Sequence, residues 1–125
     1  TNGQWGRELP MRDAVLGAPS QWGRLFRTKP EREVRSTDAR ARYDLISQAD
    51  RCVAEFKLSA STATLVQLDG YLKELHRSTR QQWVGHIVYG NSCTRPLLDA
   101  LRGRGDIRLW RCTRSGKKAP VLVEE

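Results

Sequence analysis

Residues 43–57 read YDLISQADRCVAEFK, and this stretch decides the fold of the chain. Two short β-prone runs, 43–47 and 52–57, flank the polar break QADR, which predicts a hairpin of two antiparallel strands. Side chains alternate between the faces of a strand, so one face of the second strand carries Val53, Glu55 and Lys57, and the other carries Cys52, Ala54 and Phe56. Asp44 on the first strand is expected to lie close to Glu55 across the pair.

The sequence on either side of the hairpin predicts an α/β protein. A helix is expected over 62–77, because Leu65, Leu68, Leu72 and Leu75 form an apolar stripe at helical spacing. An apolar strand over 83–89, a short helix over 96–101 and a last strand over 107–110 follow. A helical crossover after a hairpin implies a mixed central β-sheet flanked by α-helices.

The remaining segments complete a single-domain organisation. We expect an N-terminal helical lead-in over 1–30, with a short helix at 11–16 and helix-compatible apolar spacing in 20–30. The core is expected over 31–112, beginning with an exposed strand and turn at 31–41. The C-terminal tail, 113–125, is expected to be a loose end.

Composition narrows the class of partner. The 125 residues contain 22 Lys and Arg against 14 Asp and Glu, a formal charge of +8. A surplus of this size, most of it Arg, favours a polyanion such as nucleic acid, and the alternative is a solubilising surface. No run approaches the ~18 apolar residues of a membrane span. Three cysteines without a CxxC pair predict buried thiols in a reducing compartment, so we expect a cytoplasmic protein.

The residues best suited to catalysis are Asp44, Glu55 and Lys57. Two carboxylates side by side on paired strands can share a divalent cation, and phosphodiester hydrolysis uses such a cation to activate water and neutralise the phosphate. A lysine on the same face can orient that water or stabilise negative charge. The alternative is a cross-strand ion pair on a solvated face.

The order of these motifs resembles a known enzyme family. The Asp strand, Glu55-x-Lys57 and then Gln67-Leu68-x-x-Tyr71 resemble the PD-(D/E)XK nuclease superfamily, and most of all the C-terminal nuclease domain of NucS (EndoMS) endonucleases and RecB-like nucleases. The later strand, helix and strand resemble the closing unit of that domain, so the likeness covers roughly 30–112. It implies a restriction-endonuclease-like core.

The resemblance also implies roles for individual residues. Asp44, Glu55 and the main-chain carbonyl of Phe56 would bind Mg²⁺ or Mn²⁺, and Lys57 would be the catalytic lysine. Gln67 and Tyr71 would support the site or contact the nucleic-acid backbone, the alternative being a surface Gln and a rim Tyr. The family often adds one more acid, for which the candidates are Glu8, Asp13, Glu31 and, best placed in register, Glu33.

These features predict a metal-dependent endonuclease acting on DNA rather than RNA, in repair, in defence or as a bacterial toxin domain. The alternatives are an inactive nuclease-fold module that binds nucleic acid, and a basic ribosome-associated or architectural protein. A homodimer is a further expectation left open, as is an acidic immunity protein if the chain is a toxin domain. The basic residues expected to follow phosphates are Arg35, Arg40, Arg42, Lys117 and Lys118.

Overall fold

A mixed β-sheet forms the centre of the computed structural model, which describes residues 5–35, 42–115 and 119–125. Its strands lie in the order of the sequence, from β1 to β6. They are β1 (Glu31–Arg35), β2 (Arg42–Ser47), β3 (Cys52–Ala60), β4 (Val84–Cys93), β5 (Ile107–Ser115) and β6 (Ala119–Glu124). The pairs β3–β4 and β4–β5 are parallel and the other three are antiparallel. The predicted α/β class with a mixed central sheet is confirmed.

Helices cover both faces of this sheet. They are α1 (Glu8–Leu16), α2 (Pro19–Trp22), α3 (Thr62–Thr79) and α4 (Arg95–Leu101). The long crossover helix α3 is capped at its N-terminus by Ser61, whose hydroxyl accepts a hydrogen bond from the Ala63 N–H, and at its C-terminus by Arg80 in the left-handed conformation. None of the helices in the described ranges combines the length and the apolar character needed to cross a membrane.

Two apolar cores follow from the alternation of side chains along β3. Val53 packs with the leucine stripe of α3 on one face, and Cys52, Ala54 and Phe56 pack with α1 on the other. The four stripe residues Leu65, Leu68, Leu72 and Leu75 are all buried, as the helical spacing predicted. Glu55 and Lys57 therefore belong to the face that α3 covers.

The prediction of a loose C-terminal tail is wrong. Strand β5 continues to Ser115, and β6 pairs with it in antiparallel register from Trp110↔Glu124 to Ser115↔Ala119. Leu122 is fully buried between the sheet and the first two helices, and this burial ties the end of the chain to the domain. The predicted strand at 31–41 is seen as β1, and residues 36–41 lie outside the described ranges.

The helix-compatible spacing in 20–30 produces little helix. Only Pro19–Trp22 is helical, because the chain turns at Gly23 and then runs irregularly. Leu25 and Phe26 are nevertheless buried in the core that contains α1. Their apolar character was thus a sign of burial rather than of helical structure.

Candidate active site

The candidate site lies where two strands of the sheet separate. Pairing between β2 and β3 is confined to Leu45↔Ala54, Ile46↔Val53 and Ser47↔Cys52, next to the turn at 48–51. Strand β3 remains paired with β4 as far as Ala60. Beyond Leu45, the Asp44 carboxylate accepts the Phe56 N–H at 2.8 Å, so a side chain takes the place of the missing strand contact.

Glu55 lies beside Asp44 in this fork and is buried, with only 4 % of its surface exposed. The two carboxyl groups are within hydrogen-bonding reach of each other. Burial, followed by the negative charge of Asp44, raises the pKa of Glu55 to about 9. Burial also raises the pKa of Asp44, and the Phe56 N–H opposes that rise. Without a cation, the pair therefore holds a proton on Glu55 at neutral pH.

One oxygen of this pair has no partner. Glu55 Oε2 is buried and makes no hydrogen bond with the described residues. An unsatisfied buried carboxyl oxygen destabilises a protein by about 1–3 kcal/mol, and such groups concentrate where a ligand completes the site. A bound cation would satisfy this oxygen.

Lys57 follows Glu55 by two residues and is half-buried on the same face of β3. Its positive charge opposes the rise in pKa at both Asp44 and Glu55. It makes no ion pair within 4 Å in the part of the chain that the structure describes, so its ammonium group is available to a ligand.

Helix α3 brings Gln67 and Tyr71 to the same fork. Gln67 Nε2 donates to the Tyr71 hydroxyl at 2.8 Å, as their spacing of four residues allows. The Tyr71 ring packs edge-on against Tyr43, with 5.1 Å between ring centroids. Burial raises the pKa of Tyr71, and the charge of Glu55 raises it further. The Tyr71 hydroxyl therefore lies close enough to the carboxyl pair to be affected by its charge. Asp44, Glu55, Lys57 and Tyr71 thus lie close enough to interact through their charges, and Gln67 joins them through its hydrogen bond to Tyr71.

Among the candidates for a further acid, the structure favours Glu8 over Glu33. The register of β1 and β2 sets Glu33 opposite Asp44, but its carboxylate lies 3.4 Å from Arg12 Nη1 and 3.9 Å from Arg42 Nη1. Glu8, at the start of α1, accepts the Leu58 N–H at 3.3 Å, and its charge contributes to the raised pKa of Glu55. The first helix therefore delivers an acid to the fork.

The other candidate residues lie away from the carboxyl pair or outside the described ranges. Asp13 pairs with Arg12 and Arg32, and Glu31 is exposed on β1. Arg35 is exposed at the end of β1, and Arg42 is held near Glu33. The remaining basic candidates, Arg40, Lys117 and Lys118, fall outside the described residues.

Sequence reasoning missed Arg12. Arg12 is only 3 % exposed and pairs with Asp13 and Glu33, and its positive charge opposes the rise in the pKa of Asp44 that burial causes. A buried arginine needs partners, and here they come from α1 and β1. Its position on a short helix beside Met11 and Val15 gave no sign of this environment, because the partner Glu33 lies 21 residues away on a different element.

The donor set suits a hard divalent cation. Asp44 and Glu55 offer carboxylate oxygens, which Mg²⁺ and Mn²⁺ prefer, and Glu55 Oε2 lacks any other partner. Within residues 5–35, 42–115 and 119–125, no three His, Cys, Asp or Glu side chains form a ready-made metal cluster. The fit therefore rests on two adjacent carboxyls, with Glu8 and main-chain oxygens close by.

Comparison with known proteins supports the fold. No protein-family model matches the sequence, and no curated protein is significantly similar to it. Among solved structures, a repair endonuclease from Pyrococcus abyssi superposes with a TM-score of 0.64 at 19 % sequence identity. The match covers 87 % of this chain and 48 % of that one, so the chain spans about half the length of the endonuclease. At this identity, the likeness shows a shared restriction-endonuclease-like fold.

Proposed function

We propose that this protein is a metal-dependent endonuclease of the PD-(D/E)XK type that hydrolyses phosphodiester bonds in DNA. The observation that carries the proposal is the Asp44–Glu55 pair, in which Glu55 is buried and its Oε2 has no hydrogen-bond partner among the described residues. Lys57 lies beside this pair and forms no ion pair in the same part of the chain. Titratable groups whose pKa is strongly shifted by burial and by a like charge concentrate in catalytic sites.

The burial of the pair argues against the alternative of a surface ion pair. Such a pair would leave Glu55 solvated and matched to Lys57, with its pKa lowered. Instead Glu55 is 4 % exposed, and its pKa is raised to about 9 because burial and Asp44 outweigh Lys57. Two carboxyls held together in this way destabilise the fold, which is typical of a site arranged for a ligand.

The roles of the residues follow from their positions. Bound Mg²⁺ or Mn²⁺ would activate water and neutralise charge on the phosphate. Asp44 and Glu55 would hold the cation, with the Phe56 carbonyl and Glu8 as further oxygen ligands. Lys57 would orient the attacking water and stabilise negative charge developing on the phosphate oxygens.

Gln67 and Tyr71 would act as positioning residues at the rim of the site. The hydrogen bond from Gln67 Nε2 fixes the Tyr71 hydroxyl close to the carboxyl pair. Partners of this kind keep ligating carboxylates in one orientation, and their loss usually lowers metal affinity or activity by about 10–100-fold. A backbone phosphate could also accept from the Gln67 amide.

DNA is proposed as the substrate and repair as the setting because the similar structure is that of a repair endonuclease. The net charge of +8 suits a polyanionic substrate. We propose that the protein acts on nucleic acid inside the cell. Roles in defence or as a toxin domain with an acidic immunity partner are consistent with the same chemistry, but no observation singles them out.

A cleavage assay tests the proposal. Supercoiled plasmid, single-stranded DNA and RNA are incubated with wild type, Glu55→Gln and Lys57→Gln, with and without Mg²⁺ or Mn²⁺. Lys73→Gln is the matched control, because Lys73 is an exposed lysine on α3 with no ion pair among the described residues.

We expect metal-dependent cutting of DNA by wild type and the control, reduced by about 10²–10³-fold or more in the two site variants. Cutting that survives both substitutions would refute the site. Binding of nucleic acid without cutting of any substrate would favour the inactive module instead.

A further inference from the structure

A basic cleft lies at the turn end of the β2–β3 hairpin, whereas the candidate active site lies at its open end. It has a volume of about 450 Å³ and opens at the edge of the sheet where β3, β4 and β5 begin. Four arginines line it, and they come from segments distant in sequence: Arg24, Arg27, Arg51 and Arg108.

The positive charge of this cleft is weakly compensated. Asp50 is the acidic residue of its lining among the described residues, and its carboxylate accepts the N–H groups of Arg27 at 2.7 Å and Thr28 at 2.8 Å. That carboxylate is thus committed to the main chain rather than to a guanidinium. Arg108 Nη1 lies 3.7 Å from Glu124 Oε2 on an exposed part of β6.

Two of the arginines have no side-chain partner among the described residues. Arg27 and Arg51 are exposed and take part in none of the ion pairs or side-chain hydrogen bonds of that part of the chain. Arg51 also lies at the hairpin turn, where its φ of 54° places the backbone in the left-handed conformation. Two unpaired guanidinium groups at one cleft are suited to bind anionic oxygens.

The floor of the cleft is rigid and contributes no charge. The indole N–H of Trp110 donates to His86 Nδ1 at 2.9 Å, so the proton of the ring is on Nε2, which donates to the Leu25 carbonyl at 3.1 Å. Burial lowers the pKa of His86 to about 4, which keeps this ring neutral. Arg24 donates to the Leu122 carbonyl and lies over the Trp110 ring, and this fixes its guanidinium in the wall.

The cleft is close to the candidate active site along the sheet. Cys52 lines the cleft, and Glu55 follows it by three residues on β3, about 10 Å along the strand. The side chains of Cys52 and Glu55 lie on opposite faces of the sheet, so a nucleic acid cut at the fork would reach the cleft by passing around the turn end of the hairpin.

We propose that this cleft, formed by Arg24, Arg27, Arg51 and Arg108, is a second binding site for the backbone phosphates of the nucleic-acid substrate. The inference rests on the proposed nuclease function and adds a contact that positions the substrate. Arg24 is preorganised by its contacts, and Arg27 and Arg51 close on the phosphate. The same chemistry would also suit a free phosphate or a mononucleotide, and the test separates these sources.

Binding of a short fluorescein-labelled DNA duplex is measured by anisotropy in EDTA, over a range of KCl concentrations. The test variant is Arg27→Gln/Arg51→Gln. The matched control is Lys73→Gln/Arg111→Gln, which removes the same charge from two exposed positions outside the cleft. Circular dichroism checks that both variants fold.

The proposal predicts that the test variant binds DNA at least about tenfold more weakly than wild type, with a salt slope reduced by about 2. The control should stay close to wild type. An equal loss in both variants would show that only total charge matters, and no loss in the test variant would exclude the cleft. Either result overturns the proposal.

Inorganic phosphate and adenosine monophosphate are titrated in parallel by calorimetry. Weak binding of both, weaker still in the test variant, supports a backbone site. Tight binding of either one that the test variant abolishes would assign the cleft to a small phosphate compound and overturn the proposal.

Failure of the cleft and failure of the catalytic site are distinguishable. The anisotropy measurement in EDTA involves neither metal nor cutting, so it tests the cleft whether or not the fork is catalytic. If binding depends on the cleft but the protein cuts no substrate, the cleft proposal is supported and the proposed nuclease function is refuted. If metal-dependent cutting occurs and Arg27→Gln/Arg51→Gln has no effect on binding, the nuclease function is supported and the cleft proposal is refuted.

Discussion

Replacing Glu55 by Gln should stabilise the metal-free protein while abolishing its response to metal. Glutamine has nearly the shape of a protonated glutamate but carries no titratable group. The substitution therefore removes the unfavourable protonation equilibrium of Glu55 and keeps its packing against the fork. Enzymes often lose activity and gain stability when a strained catalytic group is replaced.

The size of the effect follows from the pKa of Glu55. In the unfolded chain the group titrates near 4.5, and in the folded protein burial and the charge of Asp44 raise its pKa to about 9. At pH 7 the folded protein must take up a proton that the unfolded chain lacks. Between pH 4.5 and 7, this proton uptake lowers the free energy of unfolding by about 3 kcal/mol, or the Tm of a domain of this size by roughly 10 °C.

The raised pKa of Glu55 also determines how the stability of the protein changes with pH. Because the folded pKa is raised, the contribution of Glu55 to stability is fully present below about pH 4.5 and is lost as the pH rises towards 9. Wild type should therefore lose stability over this range relative to Glu55→Gln. The two proteins should be equally stable at the acidic end.

Urea unfolding in EDTA at several pH values measures the difference, and Glu31→Gln, an exposed glutamate on β1, is the control. In Mn²⁺, wild type should gain stability by mass action and Glu55→Gln should gain little. A Glu55→Gln protein that is less stable than wild type at pH 7, with no dependence on pH, would mean that Glu55 is ionised and paired with Lys57. That result would refute the reasoning.

Three further predictions concern the core and the rim of the site. The neutral His86 has its pKa lowered to about 4, so its contribution to stability is present above pH 6.5 and is lost as the pH falls towards 4; His86→Gln should lack this loss of up to about 3 kcal/mol in acid unfolding curves. A Cβ on Gly85 would lie 2.8 Å from the fully buried side chain of Leu68, so Gly85→Ala should lower the free energy of unfolding by about 1–3 kcal/mol in urea. Tyr71→Phe should fold normally and bind Mn²⁺, but should cut DNA about 10–100-fold more slowly, and a wild-type rate would exclude its positioning role.

Much of the core could be predicted because its signals are local. The two-residue alternation along β3 separated Glu55 from Phe56, and the leucine stripe of α3 identified the helix that covers that face. The hairpin turn at 48–51 fixed the antiparallel pairing that sets Asp44 beside Glu55. Patterns of this kind follow from backbone geometry within a short segment.

The rest depended on contacts between distant segments. Glu8 reaches the fork by accepting an N–H from Leu58, 50 residues away, and nothing in the first helix indicates that contact. The run VLV at 121–123 could have indicated β6, since only Leu122 of the three is buried and its neighbours alternate outward. The basic sequence before it suggested a loose end instead. The burial of Glu55, which gives the site its chemistry, likewise arises from packing that no local pattern reveals.

Calorimetric titration with Mn²⁺ at pH 7 tests most directly whether the Asp44–Glu55 pair is a metal site. Because the metal-free pair holds a proton on Glu55, wild type should bind Mn²⁺ and release about one proton per ion, measured from the heats in buffers of different ionisation enthalpy. Glu55→Gln should show no such binding, and Glu31→Gln should match wild type. Mn²⁺ binding that is unchanged in Glu55→Gln, or a wild type that binds no Mn²⁺, would contradict the assignment.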